Sequence, residues 1–320
     1  MKVVLLSGGV GGAKLAAGLH DLLEPGELTI VGNVGDDLEV LGLQVSPDLD
    51  SVLYALAGLN DTERGWGRAG ETWQALGSAR TFGGEDWFML GDLDIGLHLV
   101  RTQALREGRP LSAVTVRLMR AAGLATHLVP ATDDRLRTYV VTPAGTFSFQ
   151  EWFVARRHAD EVDALVYEGA AASRPAPGVL EAVAAADVIV IAPSNPFVSI
   201  HPILAVPGIR TALERRSVRA VAVSPLIGGR AVKGPLDRMM RRLVGGTTPT
   251  FVTRCYEGLL DVLVIDRSDA AAQGGEAVAA RSGDGEADVA LVVTDTLMRD
   301  RVAARRLAQV TLDATTEAQT

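Results

Sequence analysis

Short apolar runs recur along the chain with the length and continuity of strands buried in a parallel sheet. Apolar residues at helical spacing follow several of these runs. Together they predict strands over residues 3–6, 28–32, 127–130, 138–142, 162–167, 187–192, 218–223, 261–266 and 288–293, a hairpin return over 146–153, and helices over 13–23, 178–186 and 299–312. The alternation predicts an α/β fold built on a doubly wound, mostly parallel sheet.

Residues 51–122 interrupt this alternation, because they contain helical patterns without a convincing strand. We therefore predict two domains, a main domain of residues 1–50 and 123–320 and a helical insertion domain of residues 51–122. Three of the four tryptophans, Trp66, Trp73 and Trp87, fall in the insertion. They form either the core of a small subdomain or the flat wall of a ring-binding pocket at its boundary.

Composition and charge narrow the classes of function. The chain has 320 residues and a formal net charge of −8 without a basic run, which argues against a nucleic-acid partner. No apolar run reaches the length of a membrane span, and the first strand is not preceded by a signal-peptide pattern, so we expect a cytoplasmic protein. Cys255 is the only cysteine, which excludes a disulfide and a thiolate metal cluster within the chain.

A glycine-rich loop joins the first strand to the first helix, with the sequence SGGVGG at residues 7–12. Glycines let backbone N–H groups approach a phosphate closely, and the dipole of the following helix favours negative charge. The loop matches neither the dinucleotide pattern G-x-G-x-x-G nor the P-loop. The alternative is a tight turn that binds nothing. The candidate phosphate-binding residues are Gly8, Gly9, Gly11, Gly12 and Lys14.

Two acidic loops follow, NVGDD at residues 33–37 and PDLD at residues 47–50. In open α/β sheets, ligands bind at the carboxyl ends of the strands, where the first of these loops begins. Mg²⁺ binds one or two carboxylates and completes its shell with water and substrate oxygens. The two loops therefore favour a hard-cation site, and capping of the next helix by one carboxylate is the alternative.

Two later loops carry polar and basic candidates at the same predicted edge. Ser194 and Asn195 follow the strand at 187–192 and offer hydrogen bonds. Arg230 and Lys233 lie in the loop at 224–235, where they either neutralise a diphosphate or are surface charges.

A set of motifs covers nearly the whole chain in a fixed order. The motifs are SGGVGGAK, NVGDD, SPDLDSVLY, GWGRAGETW, LGDLDIGLHLVRT, FQEWFV, APSNPFVSIHPILAVPGI, VSPLIGGRAVKGP and VTDTLM. Together they closely resemble the 2-phospho-L-lactate transferase family, which includes the phosphoenolpyruvate-using transferases of deazaflavin coenzyme F-420 biosynthesis. The stretches SNPFVSI and GGRAVKGP are the most specific part of the resemblance.

The resemblance implies a reaction and its ligands. A guanosine diphosphate conjugate of lactate or enolpyruvate donates its phospho-acid group to the ribityl hydroxyl of the deazaflavin Fo, GMP leaves, and Mg²⁺ assists. The resemblance also implies a Rossmann-like nucleotide-binding domain with a smaller helical domain, and a homodimer. The sequence does not distinguish a lactyl from an enolpyruvyl donor.

The resemblance also implies roles for single residues. Asp36 and Asp50 are the implied metal ligands, and Asp50 is also associated with the deazaflavin. Asp37 or Asp50 is the candidate base for the acceptor hydroxyl. The remaining implied contacts are Gly8, Gly9, Gly11, Gly12, Lys14, Asn33, Ser194, Asn195, Arg230 and Lys233 for the nucleotide conjugate, and Trp66 and Trp87 for the deazaflavin ring.

One position departs from the family pattern. Leu93 stands where relatives typically carry a basic residue associated with acceptor binding. Either the loss of this residue weakens acceptor binding, or Arg101 or Arg80 substitutes for it. The alternative function is a non-catalytic regulator that binds nucleotide sugars, similar to gluconeogenesis factor. The PDLD, GWG and SNPFVSI stretches favour the transferase. A nicotinamide dehydrogenase is disfavoured because the glycine spacing does not fit.

Overall fold

The computed structural model describes residues 1–272 and 289–315. Its strands are β1 (Val3–Ser7), β2 (Leu28–Gly32), β3 (Leu38–Val40), β4 (Leu43–Val45), β5 (His127–Pro130), β6 (Arg137–Thr142), β7 (Gly145–Ser148), β8 (Ala164–Glu168), β9 (Val188–Ile191), β10 (Ala220–Val223), β11 (Leu226–Ile227), β12 (Arg230–Ala231), β13 (Val262–Asp266) and β14 (Ala290–Thr294). Its α-helices are α1 (Gly9–His20), α2 (Pro47–Ala57), α3 (Gln74–Thr81), α4 (Asp92–Arg106), α5 (Leu111–Ala121), α6 (Val179–Ala185), α7 (His201–Leu204), α8 (Ile209–Glu214), α9 (Leu236–Leu243), α10 (Pro249–Arg254), α11 (Arg267–Ala272) and α12 (Arg301–Asp313). Short π-helical turns cover Glu151–Ala155 and Pro196–Ile200, and a 3₁₀ turn covers Ala170–Ala172.

The central sheet has seven parallel strands in the order β14-β13-β10-β9-β1-β2-β5. The chain builds outward from β1 to β5 and then returns to place β9 on the other side of β1. This is the Rossmann order, extended by one strand, and it confirms the predicted doubly wound α/β fold. Because the order reverses between β1 and β9, a crevice opens at the carboxyl ends of these two strands.

The apolar runs form this sheet because both of its faces are buried. Every residue of β1, β9, β10 and β13 is buried, as expected for parallel strands covered by helices on each side. Helix α1 packs against both α2 and α12. No helix of the described part of the chain is long and apolar enough to cross a membrane.

Three of the predicted segments, 138–142, 146–153 and 162–167, lie outside the central sheet. β6, β7 and β8 form a separate antiparallel sheet in the order β7-β6-β8. The hairpin of β6 and β7 confirms the predicted return, but β7 ends at Ser148, and a π-helical turn replaces the rest of the predicted strand. β6 alternates between buried and half-buried residues, which is the pattern of a strand with one covered face.

The insertion differs in detail from its predicted limits. Val52, Leu53 and Leu56 of α2 belong to the main core, so the predicted boundary after residue 50 falls inside a helix of that core. A second, small core joins the hairpin β3–β4 to the segment that leads into α4. The hairpin was missed because its three-residue strands are too short to show a period.

Candidate active site

A large cavity lies at the switch point between β1 and β9. Its volume is about 710 Å³, which is the size of a small-molecule site. The loops after β1, β9 and β10 line it on the side of the sheet. The insertion contributes the segments around Trp66 and Met89, and the antiparallel sheet contributes the segment around Phe153. The cavity therefore lies at the edge of the sheet where the sequence analysis expects a ligand.

The N-terminus of α1 faces this cavity. The first N–H groups of a helix have no partner within the helix, and the helix dipole is positive at this end. The N–H of Gly9 donates to Asp48 Oδ1 at 2.6 Å. Gly9 has φ +65°, and a Cβ there would approach only Ser199 Oγ, at 3.8 Å. Gly9 is thus required by backbone conformation and leaves open space in front of the helix end.

The other loop glycines are required by close packing. A Cβ at Gly8 would lie 2.4 Å from Asp48 Oδ2, and one at Gly11 would lie 2.6 Å from the Pro193 carbonyl oxygen. A Cβ at Gly12 would lie 2.4 Å from Ser7 Oγ, and Gly12 does not line the cavity. These glycines let α1 approach the neighbouring loops. The sequence analysis explained them only by the approach of a phosphate to the backbone and did not foresee this packing role.

Two lysines line the cavity beside the helix end. Lys14 Nζ donates to the carbonyl oxygen of Met298 at 2.9 Å. Burial, and then the charge of Lys233, lower the pKa of Lys14. Two ammonium groups that repel each other favour an anion between them. Arg230, in contrast, is exposed on β12 and is not part of the cavity wall that the described residues form.

A buried pair of carboxylates, Asp36 and Asp48, also lines the cavity. Asn33 Nδ2 donates to Asp48 Oδ2 at 2.9 Å and lies 3.4 Å from Asp36 Oδ1. Gln150 Nε2 donates to Asp36 Oδ2 at 3.1 Å. Burial, followed by the charges of Asp48 and Asp37, raises the pKa of Asp36 well above its usual range. Burial raises the pKa of Asp48 to about 6.

The chemistry of this pair suits a hard divalent cation. Both side chains offer oxygen donors, and a shared cation would offset their repulsion. No group of three or more His, Cys, Asp or Glu side chains in residues 1–272 and 289–315 is arranged to hold a metal ion. A cation at this pair would therefore complete its shell with water and substrate oxygens, as Mg²⁺ commonly does.

Asp37 and Asp50 lie on the far side of the same two loops. Asp37 Oδ2 accepts a hydrogen bond from Ser46 Oγ at 2.9 Å, and burial raises the pKa of Asp37 to about 7. Asp50 binds the guanidinium of Arg101, with Arg101 Nη1 donating to Asp50 Oδ2 at 2.9 Å. Neither aspartate lines the described cavity, so the structure does not place the implied base or the second implied metal ligand there.

Asp48 lines the cavity, and the sequence analysis did not single it out. Residues two apart on a helix point in very different directions, so Asp48 and Asp50 of one turn cannot face the same site. The PDLD motif contains both carboxylates, but the sequence did not show which of the two faces the cavity.

The predicted polar residues mainly hold the loops in place. Ser194 Oγ donates to the carbonyl oxygen of Gly8 at 2.6 Å, which ties the loop after β9 to the loop after β1. Asn195 caps the turn Pro196–Ile200 by accepting from the N–H of Phe197 at 3.0 Å. Both residues also line the cavity. Asn33 is buried behind it and orients the two carboxylates.

Aromatic side chains form two separate walls of the cavity. Trp66 lies on the first wall and is 43% exposed, so it does not form a subdomain core. Trp87 is outside the cavity wall; its Nε1 donates to Glu85 Oε2 at 3.1 Å, and its neighbour Phe88 takes the place at the wall. Leu93 is exposed on α4 and is likewise outside the wall that the described residues form.

The second aromatic wall was missed by the sequence analysis. Phe149 and Phe153 stack with ring centroids 5.3 Å apart and both line the cavity. The π-helical turn Glu151–Ala155 begins two residues after Phe149. Such turns are frequent at functional sites. The motif FQEWFV contained these rings, but the segment 146–153 was predicted to be a strand. In a strand, both rings would lie on one face of a sheet and would not form a turn at the cavity.

Comparison with known proteins agrees with the family resemblance seen in the sequence. The sequence pattern of the family described as 2-phospho-L-lactate transferase CofD matches residues 3–308. The chain belongs to this family. It is 45% identical to the phosphoenolpyruvate transferase of Streptomyces griseus over 278 residues, which cover 85% of this chain and 87% of that protein.

Two further comparisons extend over almost the whole chain. The phosphoenolpyruvate transferase of Mycobacterium sp. strain KMS is 40% identical over 339 aligned residues, which cover 98% of this chain and all of that protein. A UPF0052 family protein from Bacillus halodurans has a TM-score of 0.60 at 16% identity, covering 97% of this chain and 99% of that one. The last likeness concerns the fold alone. As a member of the CofD family, the chain is a transferase.

Proposed function

We propose that the chain transfers a 2-phospholactyl or enolpyruvyl-phosphate group from a guanosine diphosphate conjugate to the deazaflavin Fo, releasing GMP, in the synthesis of coenzyme F-420. One observation carries the proposal. The cavity at the switch point brings a helix N-terminus, two lysines and the buried pair Asp36 and Asp48 together. Such a site suits a diphosphate bound with a divalent cation. Family membership and the phosphoenolpyruvate transferase relatives support the same assignment.

In the proposed reaction, a ribityl hydroxyl oxygen of Fo attacks the phosphorus atom that carries the acid group. The bond from that phosphorus to the bridging oxygen breaks, GMP leaves with the bridging oxygen, and the hydroxyl proton is released. Transfer of this kind depends mainly on positioning and on stabilisation of charge. The N-terminus of α1, Lys14 and Lys233 would bind the diphosphate and stabilise the charge that develops on GMP.

Mg²⁺ is the cation that we propose for Asp36 and Asp48. Bound there, it would neutralise charge on the diphosphate. The resemblance implied Asp50 as a ligand, but the contact of Asp50 with Arg101 leads us to propose Asp48 in its place. We also do not carry over the base role of Asp37 or Asp50, because both carboxylates face away from the cavity.

The two aromatic walls suit a reaction between two substrates that each contain a planar ring. Aromatic faces bind such rings with little loss of rotamer entropy. We propose that the wall at Trp66 binds the deazaflavin, which leaves the stacked pair Phe149 and Phe153 for the guanine. Trp87 is not included, because it lies outside the cavity wall.

The resemblance also implies a homodimer, and we propose one. α4 exposes Leu93, Leu99 and Val100 on its outer side, an apolar surface that a second copy would cover. The cytoplasmic location stays a prediction.

Incubation of the protein with Fo, Mg²⁺ and each guanylated donor in turn, followed by mass spectrometry, tests the proposed function. We expect a phosphodiester of Fo with lactate or enolpyruvate, and the productive donor identifies the acid. Binding of GDP or donor without product from either donor would contradict the proposal and favour the non-catalytic regulator.

A further inference from the structure

The four aspartates of the two acidic loops divide into an inner and an outer pair. The inner pair, Asp36 and Asp48, lines the cavity. The outer pair, Asp37 and Asp50, faces away from it, and all four side chains are buried. The outer pair shares one buried cation, Arg101, which forms a direct ion pair with Asp50 and also acts electrostatically on Asp37.

Arg101 belongs to the insertion and reaches the main core from there. Three polar residues of α4, Asp94, His98 and Arg101, lie at the spacing of one helix face and are buried. They meet two residues of α2: Tyr54 Oη donates to Asp94 Oδ1 at 2.5 Å, and Arg101 binds both oxygens of Asp50. Polar side chains thus join α4 to α2 at two points.

The ion pair with Asp50 fixes the first turn of α2. A guanidinium that is 2% exposed requires a partner, since an unpaired buried charge is strongly unfavourable. Two-point binding of a carboxylate also fixes its orientation, because the fork of donors is rigid. Asp48 lies two residues before Asp50 in the same turn, where it accepts from the N–H of Gly9 and from Asn33.

We propose that Arg101 is a positioning residue for the cation site. By binding Asp50 at two points, it holds the first turn of α2 where Asp48 can share a cation with Asp36. It thereby makes the geometry of the site depend on the docking of the insertion. This inference rests on the proposed function, in which Asp36 and Asp48 bind a divalent cation.

Mn²⁺ binding to the full-length protein without substrates tests this inference, with free Mn²⁺ measured by electron paramagnetic resonance and melting temperature measured in parallel. We expect Arg101→Met to weaken Mn²⁺ binding about tenfold or more, as loss of supporting contacts around a metal site does. It should also lower the melting temperature, because Asp50 is left buried without its partner.

A double variant separates positioning from stability. Arg101→Met combined with Asp50→Leu removes both members of the ion pair, while Arg137 still acts electrostatically on Asp37, so we expect most of the melting temperature to return while Mn²⁺ binding stays weak. Tyr54→Phe is the matched control: it removes the neighbouring polar contact of the same two helices and should bind Mn²⁺ like the wild type.

Two kinds of failure are distinguishable. Wild-type Mn²⁺ affinity in the double variant would overturn the role of Arg101 but not the cation site. The same would follow if Tyr54→Phe lost as much Mn²⁺ affinity as Arg101→Met. If the wild type does not bind Mn²⁺, or if Asp48→Asn binds it unchanged, the proposed cation site itself is overturned, and the inference with it.

Discussion

At the scale of residues, the site depends on buried carboxylates with different partners. Asp36 and Asp48 share an amide, Asn33, and face a cavity that contains two ammonium groups. Asp50 has a guanidinium partner on the other side of the loop. A buried carboxylate without a cationic partner tends to take up a proton or bind a cation. The inner pair is thus the one that suits metal binding.

Substitution of either inner aspartate tests this division. We expect Asp36→Asn and Asp48→Asn each to lower the rate of transfer by about a hundredfold or more at limiting Mg²⁺, since each removes a charged ligand. Asp133→Asn is the control for the cost of the substitution, because Asp133 caps α5 through Ser112, and we expect its rate to stay close to that of the wild type. A wild-type rate in either inner variant would remove that residue from the metal site.

His98 predicts a pH dependence of stability. Burial lowers its pKa from 6.5 to about 4, so the folded protein keeps this ring neutral while the unfolded chain protonates it. Between these two values the unfolded state binds more protons, and the free energy of unfolding therefore falls as the pH falls from about 6.5 towards 4.

Urea unfolding of the wild type and of His98→Gln over this pH range measures the effect. We expect the wild type to lose stability relative to the variant as the pH decreases. Parallel pH profiles of the two proteins would show that His98 is protonated in the folded state as well.

At the scale of elements, the glycine loop packs α1 closely against its neighbours, and we propose that it also binds the phosphates of the donor. Gly11→Val would place a side chain against the carbonyl oxygen of Pro193, and we expect it to destabilise the fold by about 1–3 kcal/mol, as overpacking does. Gly9→Ala meets no such contact, and its cost is the strain of a left-handed backbone, about 1–2 kcal/mol.

Gly26→Ala is the matched control for Gly9→Ala, since Gly26 has φ +89° and a Cβ there would meet nothing within 4 Å. We expect similar melting temperatures for these two variants, and weaker GDP binding by calorimetry only for Gly9→Ala. Wild-type GDP affinity in Gly9→Ala would show that the open helix end is not the phosphate site.

The aromatic segment of the insertion gives a second test at this scale. We expect Trp66→Leu to weaken Fo binding several-fold, which corresponds to the loss of about one aromatic contact. We expect Trp87→Leu to leave Fo binding unchanged. Binding is measured by quenching of tryptophan fluorescence after correction for the inner filter effect. If Trp66→Leu binds Fo like the wild type while it stays folded, the ring site must be sought at Phe149 and Phe153.

The sequence predicted the main sheet because its strands are buried on both faces and read as continuous apolar runs. It predicted the glycine-rich turn between β1 and α1 because glycines and a helix start are local features. It did not predict the hairpin β3–β4, which is too short to show a period. It also missed the π-helical turn after Phe149, because the segment was predicted to continue as the returning strand of a hairpin. Whether Asp48 or Asp50 faces the cavity depends on the rotation of α2, which is set by its packing against neighbouring elements such as α1 and β5.

At the scale of the whole molecule, the Rossmann order creates the crevice, and the added segments complete it. The central sheet supplies the helix end, Lys14 and Asp36 at one edge. The insertion closes one side with Trp66, and the antiparallel sheet closes another with Phe149 and Phe153. This division suits a reaction in which the sheet edge holds the charged donor and the added walls hold the rings.

Release of GMP, measured with and without Fo, tests the central claim most directly. With the productive guanylated donor and Mg²⁺, we predict that one GMP appears for each Fo converted, that GMP release requires Fo, and that Asp48→Asn nearly abolishes it. GMP release that is independent of Fo would indicate a hydrolase, and donor binding without any GMP release would indicate a regulator. Either result would contradict a transfer between two substrates in this cavity.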